Sequence, residues 1–234
     1  MYFSTVCVFV LVAVTASAPT NQQGCCFPKQ FEASIGQVNG LVLPTGMPIV
    51  QNNYIMGAFD FTNNRAGELI QTETMGKISS IKVIIDYKEN YMYTIIGKQC
   101  TKSAATGDFP SCTPKTAQFV GTYFIGDNQL QADSYSYYAK APSPVEGNVS
   151  FSVTHDGCIP VGAIVTGKTL QQPSFPIMSS SGYLNYTQGI ADPGKWFDIP
   201  DICTKTQLVQ RSVDTDPLIQ LANRVSSLLL PSAA

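Results

Sequence analysis

Histidine and tryptophan each occur once in this 234-residue chain, at His155 and Trp196, and charged residues make up only 13% of it. A formal charge of −2 spread so thinly provides no basic phosphate-binding face, which argues against a nucleic-acid partner. The G-x-S-x-G elbow of hydrolases is missing, and His155 sits in "THDGC" with no serine marked as its partner. Carboxylates are too few and dispersed to single out a glycosidase pair, and the phosphate-cradling glycine motifs are absent. The stretch "DTDPL" lacks both the glycine and the terminal glutamate of an EF-hand loop. Asp192, Asp198 and Asp201 carry oxygens suited to calcium, but three solvated loop carboxylates are the plainer explanation. His155 would titrate between extracellular and lysosomal pH; an ordinary turn histidine is again plainer. These absences leave no activated nucleophile and no cofactor, so a non-enzymatic protein is expected.

Long apolar runs are also lacking. Val6–Val14 is shorter than the roughly 20 residues that span a bilayer, and Thr15-Ala16-Ser17-Ala18 follows it. This pattern reads as a secretory signal over residues 1–18, cut after Ala16 or Ala18, with no transmembrane segment in the mature chain. Once Cys7 leaves with the signal, Cys25, Cys26, Cys100, Cys112, Cys158 and Cys203 remain. An even number in a secreted chain implies three disulfides, for which about fifteen connectivities exist. Adjacent Cys25 and Cys26 cannot readily pair with each other, so each should tie the N-terminal segment to a different distant element. Sequons at Asn148 and Asn185 fit the same compartment and mark expected glycosylation sites.

The periodicity that is present belongs to strands. Ile81, Val83, Ile85 and Tyr87 alternate with polar or second-face residues, Lys88-Glu89-Asn90 turns the chain, and Tyr91, Tyr93 and Ile95 alternate again. This predicts an antiparallel hairpin. Further strands are predicted at 31–38, 54–61, 117–125, 134–139, 149–154 and 159–165. One β domain over 19–210 is the economical division. In the tail, 211–234, Asp216 and Pro217 start a helical pattern carried by Leu218, Leu221, Ala222, Val225, Leu228 and Leu229.

Eleven tyrosines and twelve phenylalanines in so uncharged a chain form either a packed core or the lining of a cavity inside a curved sheet. Composition does not separate the two. The ordered motifs say more. "CCFPKQFEASIGQV", "GAFDFTNNR", "YKENYMYTIIGKQC" and "GIADPGKWFDIPDIC" resemble, in that order, the characteristic segments of the ependymin-related proteins. The resemblance runs from about Cys25 to Cys203 and implies a mainly β fold. That fold is a curved antiparallel two-sheet half-barrel, similar to bacterial lipoprotein carriers, here followed by a C-terminal helix.

It further implies lipid binding in a deep apolar pocket, glycosylation, a homodimer, calcium association, and secretion or lysosomal residence. Cys100 would bridge Cys203, and Cys158 would take one of Cys25 and Cys26 while Cys112 takes the other. Candidate lining residues are Phe59, Phe61, Tyr93, Ile95, Phe124 and Phe151, although ordinary core packing is the plainer explanation for each. Lys77, Lys98 and Lys195 are candidate rim charges. The alternative function is that of a secreted matrix, adhesion or signalling protein. "GIADPGKWFDIPDIC" reads as a wall of the fold, with Trp196 or Phe197 packed on the sheet and Cys203 stapling its end.

Overall fold

The computed structural model describes residues 24–42, 45–105, 109–141, 143, 145–170 and 174–204. The signal segment 1–18 and the helical tail 211–234 lie outside the described residues. Eleven antiparallel strands form one continuous sheet: β1 (Gln30–Val42), β2 (Pro48–Asp60), β3 (Arg65–Thr74), β4 (Lys77–Asp86), β5 (Tyr91–Ile96), β6 (Gln99–Ala104), β7 (Gln118–Ile125), β8 (Leu130–Ala139), β9 (Val145–Thr154), β10 (Pro160–Thr169) and β11 (Pro176–Gln188). Two short helices follow, α1 (Pro193–Phe197) and α2 (Asp201–Thr204). The strand order is β6-β5-β4-β3-β2-β1-β11-β10-β9-β8-β7, so β1 joins two runs of successive hairpins. The expected curved antiparallel architecture therefore has its strands hydrogen-bonded into one sheet, where two stacked sheets were implied.

This order requires the sheet to curl. The edge strands β6 and β7 are consecutive in the chain and joined only by residues 105–117. Eleven flat strands would hold their edges roughly 48 Å apart. The fourteen Cα steps from Ala104 to Gln118 reach that far, about 46–50 Å, only if pulled fully straight. The connection is not straight, for it turns at Pro114–Ala117 and is pinned to the N-terminal segment. Phe27 N donates to Ser111 O (2.7 Å), Thr113 N donates to Cys25 O (2.9 Å), and a disulfide joins Cys26 to Cys112.

The curl gives the sheet a buried inner face. Phe31, Ile35, Ile55, Phe59, Ile70 and Val83 on one half share a single core cluster with Tyr135, Val149, Phe151 and Val165 on the other. In β1 the alternation places Phe31, Ala33, Ile35, Gln37, Asn39 and Leu41 inward, and β2 answers in register with Phe59, Gly57, Ile55, Asn53, Gln51 and Ile49. The outer face of β2–β6 is covered separately. Trp196 and Phe197 of α1 pack on Ala58, while Cys203 of α2 packs with Ile84, Tyr93 and Ile95. The segment 189–203 is thus a wall, folded as two helical turns. Asp192 caps the first through Lys195 N at 3.2 Å.

The disulfides are Cys25–Cys158, Cys26–Cys112 and Cys100–Cys203. Two of them fasten the N-terminal segment to the β9–β10 turn and to the β6–β7 connection. The third pins α2 to edge strand β6. Among the described residues, no helix is long and apolar enough to cross a membrane.

Candidate functional site

The inner face of the curled sheet is concave, and its side chains are fixed by strand alternation. Aromatic rings crowd one end. Phe31 stacks on Phe59 at 4.9 Å, Phe61 on Phe109 at 4.4 Å, and Tyr87 on Phe109 at 4.6 Å. Phe109 comes from the β6–β7 connection and closes that end against Phe61 and Tyr87, with Phe27 stacked on Phe61 in turn. On the other half, Tyr135 stacks on Phe151 at 5.5 Å. Several inner side chains keep accessible surface although they belong to this core: Phe61, Tyr87, Met92, Ile96, Phe119, Ala163, Tyr183 and Tyr186. The face is packed but not sealed.

Its ionisable groups are few. Glu68 is 2% exposed on the inner side of β3. Burial, and after it the Glu68 carboxylate, pushes the hydroxyls of both Tyr87 and Tyr183 above the ordinary tyrosine range. Both therefore stay protonated. Tyr183 lies on β11, three strands from Glu68 in the sheet order, so their mutual influence also reflects the curl. Asp133 accepts from Thr122 Oγ1 at 2.6 Å and lies 2.8 Å from His155 Nδ1. Thr122 spends its single proton on the carboxylate, so this hydroxyl does not donate to the imidazole as a triad nucleophile would.

The six expected lining positions do not share a face. Phe59 and Phe151 are buried inward, and Phe61 stands at the aromatic end. Phe124 has inward parity on edge strand β7 but is 54% exposed. Tyr93 and Ile95 face outward, under α2 and the Cys100–Cys203 bridge. Alternation correctly separates Tyr91, Tyr93 and Ile95 from Met92, Thr94 and Ile96, but it does not say which set is inward. Apolar residues occur on both sides because the 190–203 segment buries the outer one.

Tyr93 instead lines an outer cavity of about 270 Å³ with Arg65, Ile84, Asp86, Tyr91 and Lys102. Cations cap its rings: Lys102 Nζ lies 3.6 Å over Tyr91, and Arg65 lies 4.0 Å over Phe197. Lys195 also belongs to this side, over Trp196 at 4.3 Å, and not to an inner rim. Lys77 opens β4 beside the β3–β4 turn, and Lys98 stands in the β5–β6 turn. Asn148 and Asn185 are both exposed, the latter with φ of 49° at the bulge in β11. Asp192 is engaged as a helix cap, and among the described residues no three His, Cys, Asp or Glu side chains converge as metal ligands do.

Comparison with known proteins places this geometry in context. The family model described as Ependymin matches residues 76–203. Ependymin-related protein 1 of Haliotis asinina is 30% identical over 189 residues, covering 76% of this chain and 90% of that protein. Development-specific protein LVN1.2 of Lytechinus variegatus is 30% identical over 163 residues, covering 63% and 84%. Among solved structures, an uncharacterized conserved protein from Thermus thermophilus aligns at 9% identity with a TM-score of 0.43, covering 79% of this chain and 91% of that one. A LolA superfamily protein from Nitrosomonas europaea aligns at 8% identity with a TM-score of 0.35, covering 73% and 90%.

Proposed function

The chain belongs to the ependymin family, and from that premise we propose that it is a secreted glycoprotein that binds lipids or similar hydrophobic ligands in the curl of its sheet, without catalysis. One observation supports the proposal: a concave inner face that is apolar and aromatic, with Phe61, Tyr87, Tyr183 and Tyr186 packed against its core yet only partly buried. Burying each methylene of an acyl chain there is worth about 0.8 kcal/mol, enough for tight binding with few polar contacts. Secretion is supported by the three disulfides, which persist in oxidising compartments. Asn148 and Asn185 are exposed, as glycan acceptors must be.

A second property rests on the outer face. Val50 and Met178 flank Gly40 across β2, β1 and β11, with Val38 beside them, and all three apolar side chains are at least half exposed. Contiguous exposed apolar surface at the centre of a sheet marks an interaction site. We assign it to a second copy of this chain, in a symmetric homodimer as the family resemblance implies.

Fluorescent fatty-acid uptake by the secreted, disulfide-intact protein at neutral and acidic pH tests the central proposal. Saturable uptake is expected. A folded protein that takes up no probe at either pH contradicts lipid binding and returns the alternative of a matrix or adhesion protein.

A further inference from the structure

Two consecutive rows of the inner face are polar. Thr74, Gln51, Asn39 and Ser179 form one row across β3, β2, β1 and β11, and Thr72, Asn53, Gln37 and Ser181 form the next. Apolar rows border them on both sides: Ile49, Leu41 and Ile177 on one, Ile70, Ile55 and Ile35 on the other. This is not solvated surface. Asn39 and Gln51 are 0% exposed, and Gln37, Asn53, Thr72 and Ser179 are all buried.

The band satisfies itself only in part. Asn53 Nδ2 donates to Gln37 Oε1 at 2.8 Å, Gln37 Nε2 donates to Ser179 Oγ at 3.2 Å, and Asn39 Nδ2 donates to Gln51 Oε1 at 3.2 Å. Asn39 Oδ1, Asn53 Oδ1, Gln51 Nε2, Thr72 Oγ1 and Thr74 Oγ1 have no hydrogen-bond partner. Flipping an amide exchanges its oxygen and nitrogen without changing how many groups it must satisfy. Buried amides in this state surrender hydration with no return, an arrangement that calls for a bound partner.

Charge restricts what that partner is. No lysine or arginine side chain stands within the described inner face. Lys77, of inward parity, is exposed at the β3–β4 hairpin tip. The inward carboxylic residues, Glu68 and Asp133, are acidic. An anionic headgroup would meet no counter-charge and two residues of its own sign. An uncharged group that both donates and accepts meets its complement.

Building on the lipid-binding proposal, we propose that this amide band is a headgroup subsite for an uncharged amphiphile whose head carries hydroxyls or an amide, as in a monoacylglycerol or a ceramide. The head lies on Asn39, Gln51, Asn53 and Thr72, and the chain runs from the isoleucine row toward Phe31 and Phe59. From Gln37 to Phe31 along β1 is about 20 Å of strand. That exceeds one leaflet's share, about 15 Å, of a bilayer's hydrocarbon core. Ser181, Ala163 and Tyr183 keep accessible surface on the same inner face, beside Gln37 and Ile35, which puts the approach on the β10–β11 side.

The test is displacement of a fluorescent acyl probe from the secreted full-length protein by monoolein, an N-acylsphingosine, oleate and octadecene. Monoolein or the N-acylsphingosine, each arm read separately, should displace the probe at about tenfold lower concentration than oleate, as two gained hydrogen bonds imply. The double substitution Asn39→Leu with Gln51→Met removes both members of one pair. It should abolish that preference, with the melting temperature no lower. Thr72→Val, which keeps the shape and removes one unpartnered hydroxyl, should reduce the preference about threefold even if the double variant folds poorly. Oleate competing as well as the neutral amphiphiles, or a preference that survives in Thr72→Val and in a folded double variant, would overturn the subsite. A wild-type protein that takes up no acyl probe overturns lipid binding itself; uptake without headgroup preference overturns only the band.

Discussion

Asp60 shows how a single carboxylate organises one end of the site. It is fully buried, accepts from Gln30, from Asn63 twice and from Arg65, and so fixes the β2–β3 turn. Burial alone would raise its pKa, but the hydrogen bonds from Asn63, Gln30 and Arg65 outweigh burial and hold it below the ordinary aspartate value of 3.8. A carboxylate lowered by folding stabilises the native state above its unfolded pKa, and that contribution disappears as pH falls through the folded pKa. Asp60→Ala should therefore cost about 1.5–3 kcal/mol at neutral pH. In urea titrations its deficit against the parent should stay constant down to about pH 5 and shrink below about pH 4; a deficit unchanged at pH 3 would contradict this origin. Gly67 marks a second residue-scale constraint. A Cβ there would stand 2.6 Å from Trp196 O. Gly67→Ala should destabilise by about 1–3 kcal/mol and expose Trp196, seen as a red-shifted emission. An unshifted spectrum with parental stability would show that α1 yields freely.

At the scale of elements, strong alternation was enough to read most strands. The β4–β5 hairpin and strands β1, β2, β7, β8, β9 and β10 were legible, with ends extended by pairing that local sequence does not encode. Three strands were not read. β3 begins at Arg65, directly after the polar Thr62-Asn63-Asn64 turn, and its inner face carries Glu68, Thr72 and Thr74 in place of a clean apolar stripe. β6 is only Gln99–Ala104. β11 opens in a Pro- and Ser-rich stretch and is held by β1 and β10 on either side, a tertiary context that overrides weak propensity. The disulfides followed from family resemblance, not from spacing. Replacing both Cys100 and Cys203 with serine should cost about 2–5 kcal/mol and loosen the α1–α2 wall from β6. Hydrogen exchange should then rise at 190–203 and in β6 while β9 and β10 stay protected. Uniform loss of protection would mean that this staple supports the whole fold.

For the whole molecule, the proposed ligand site was only partly legible. Aromatic content left core and cavity unseparated and the family resemblance alone implied a pocket; which face of β5 turns inward depended on a distant segment, so Tyr93 and Ile95 were grouped with residues on the opposite side. The amide band was missed because Asn and Gln in a strand read locally as solvent-facing. The proposed association rests on the outer face. Light scattering should report twice the chain mass, and Val38→Lys with Met178→Lys should return a monomer; a monomeric parent would remove the dimer. The most direct test of the lipid site uses the lone tryptophan. Trp196 is 2% exposed on the outer side of the sheet, whereas Tyr183 faces the curl. Tyr183→Trp adds a reporter inside and keeps Trp196 as the outer control. Lipid held in the concave face predicts that a brominated acyl chain quenches the added fluorescence saturably and leaves the parent protein's emission unchanged. Quenching of Trp196 alone, or none at all in the folded variant, would contradict it.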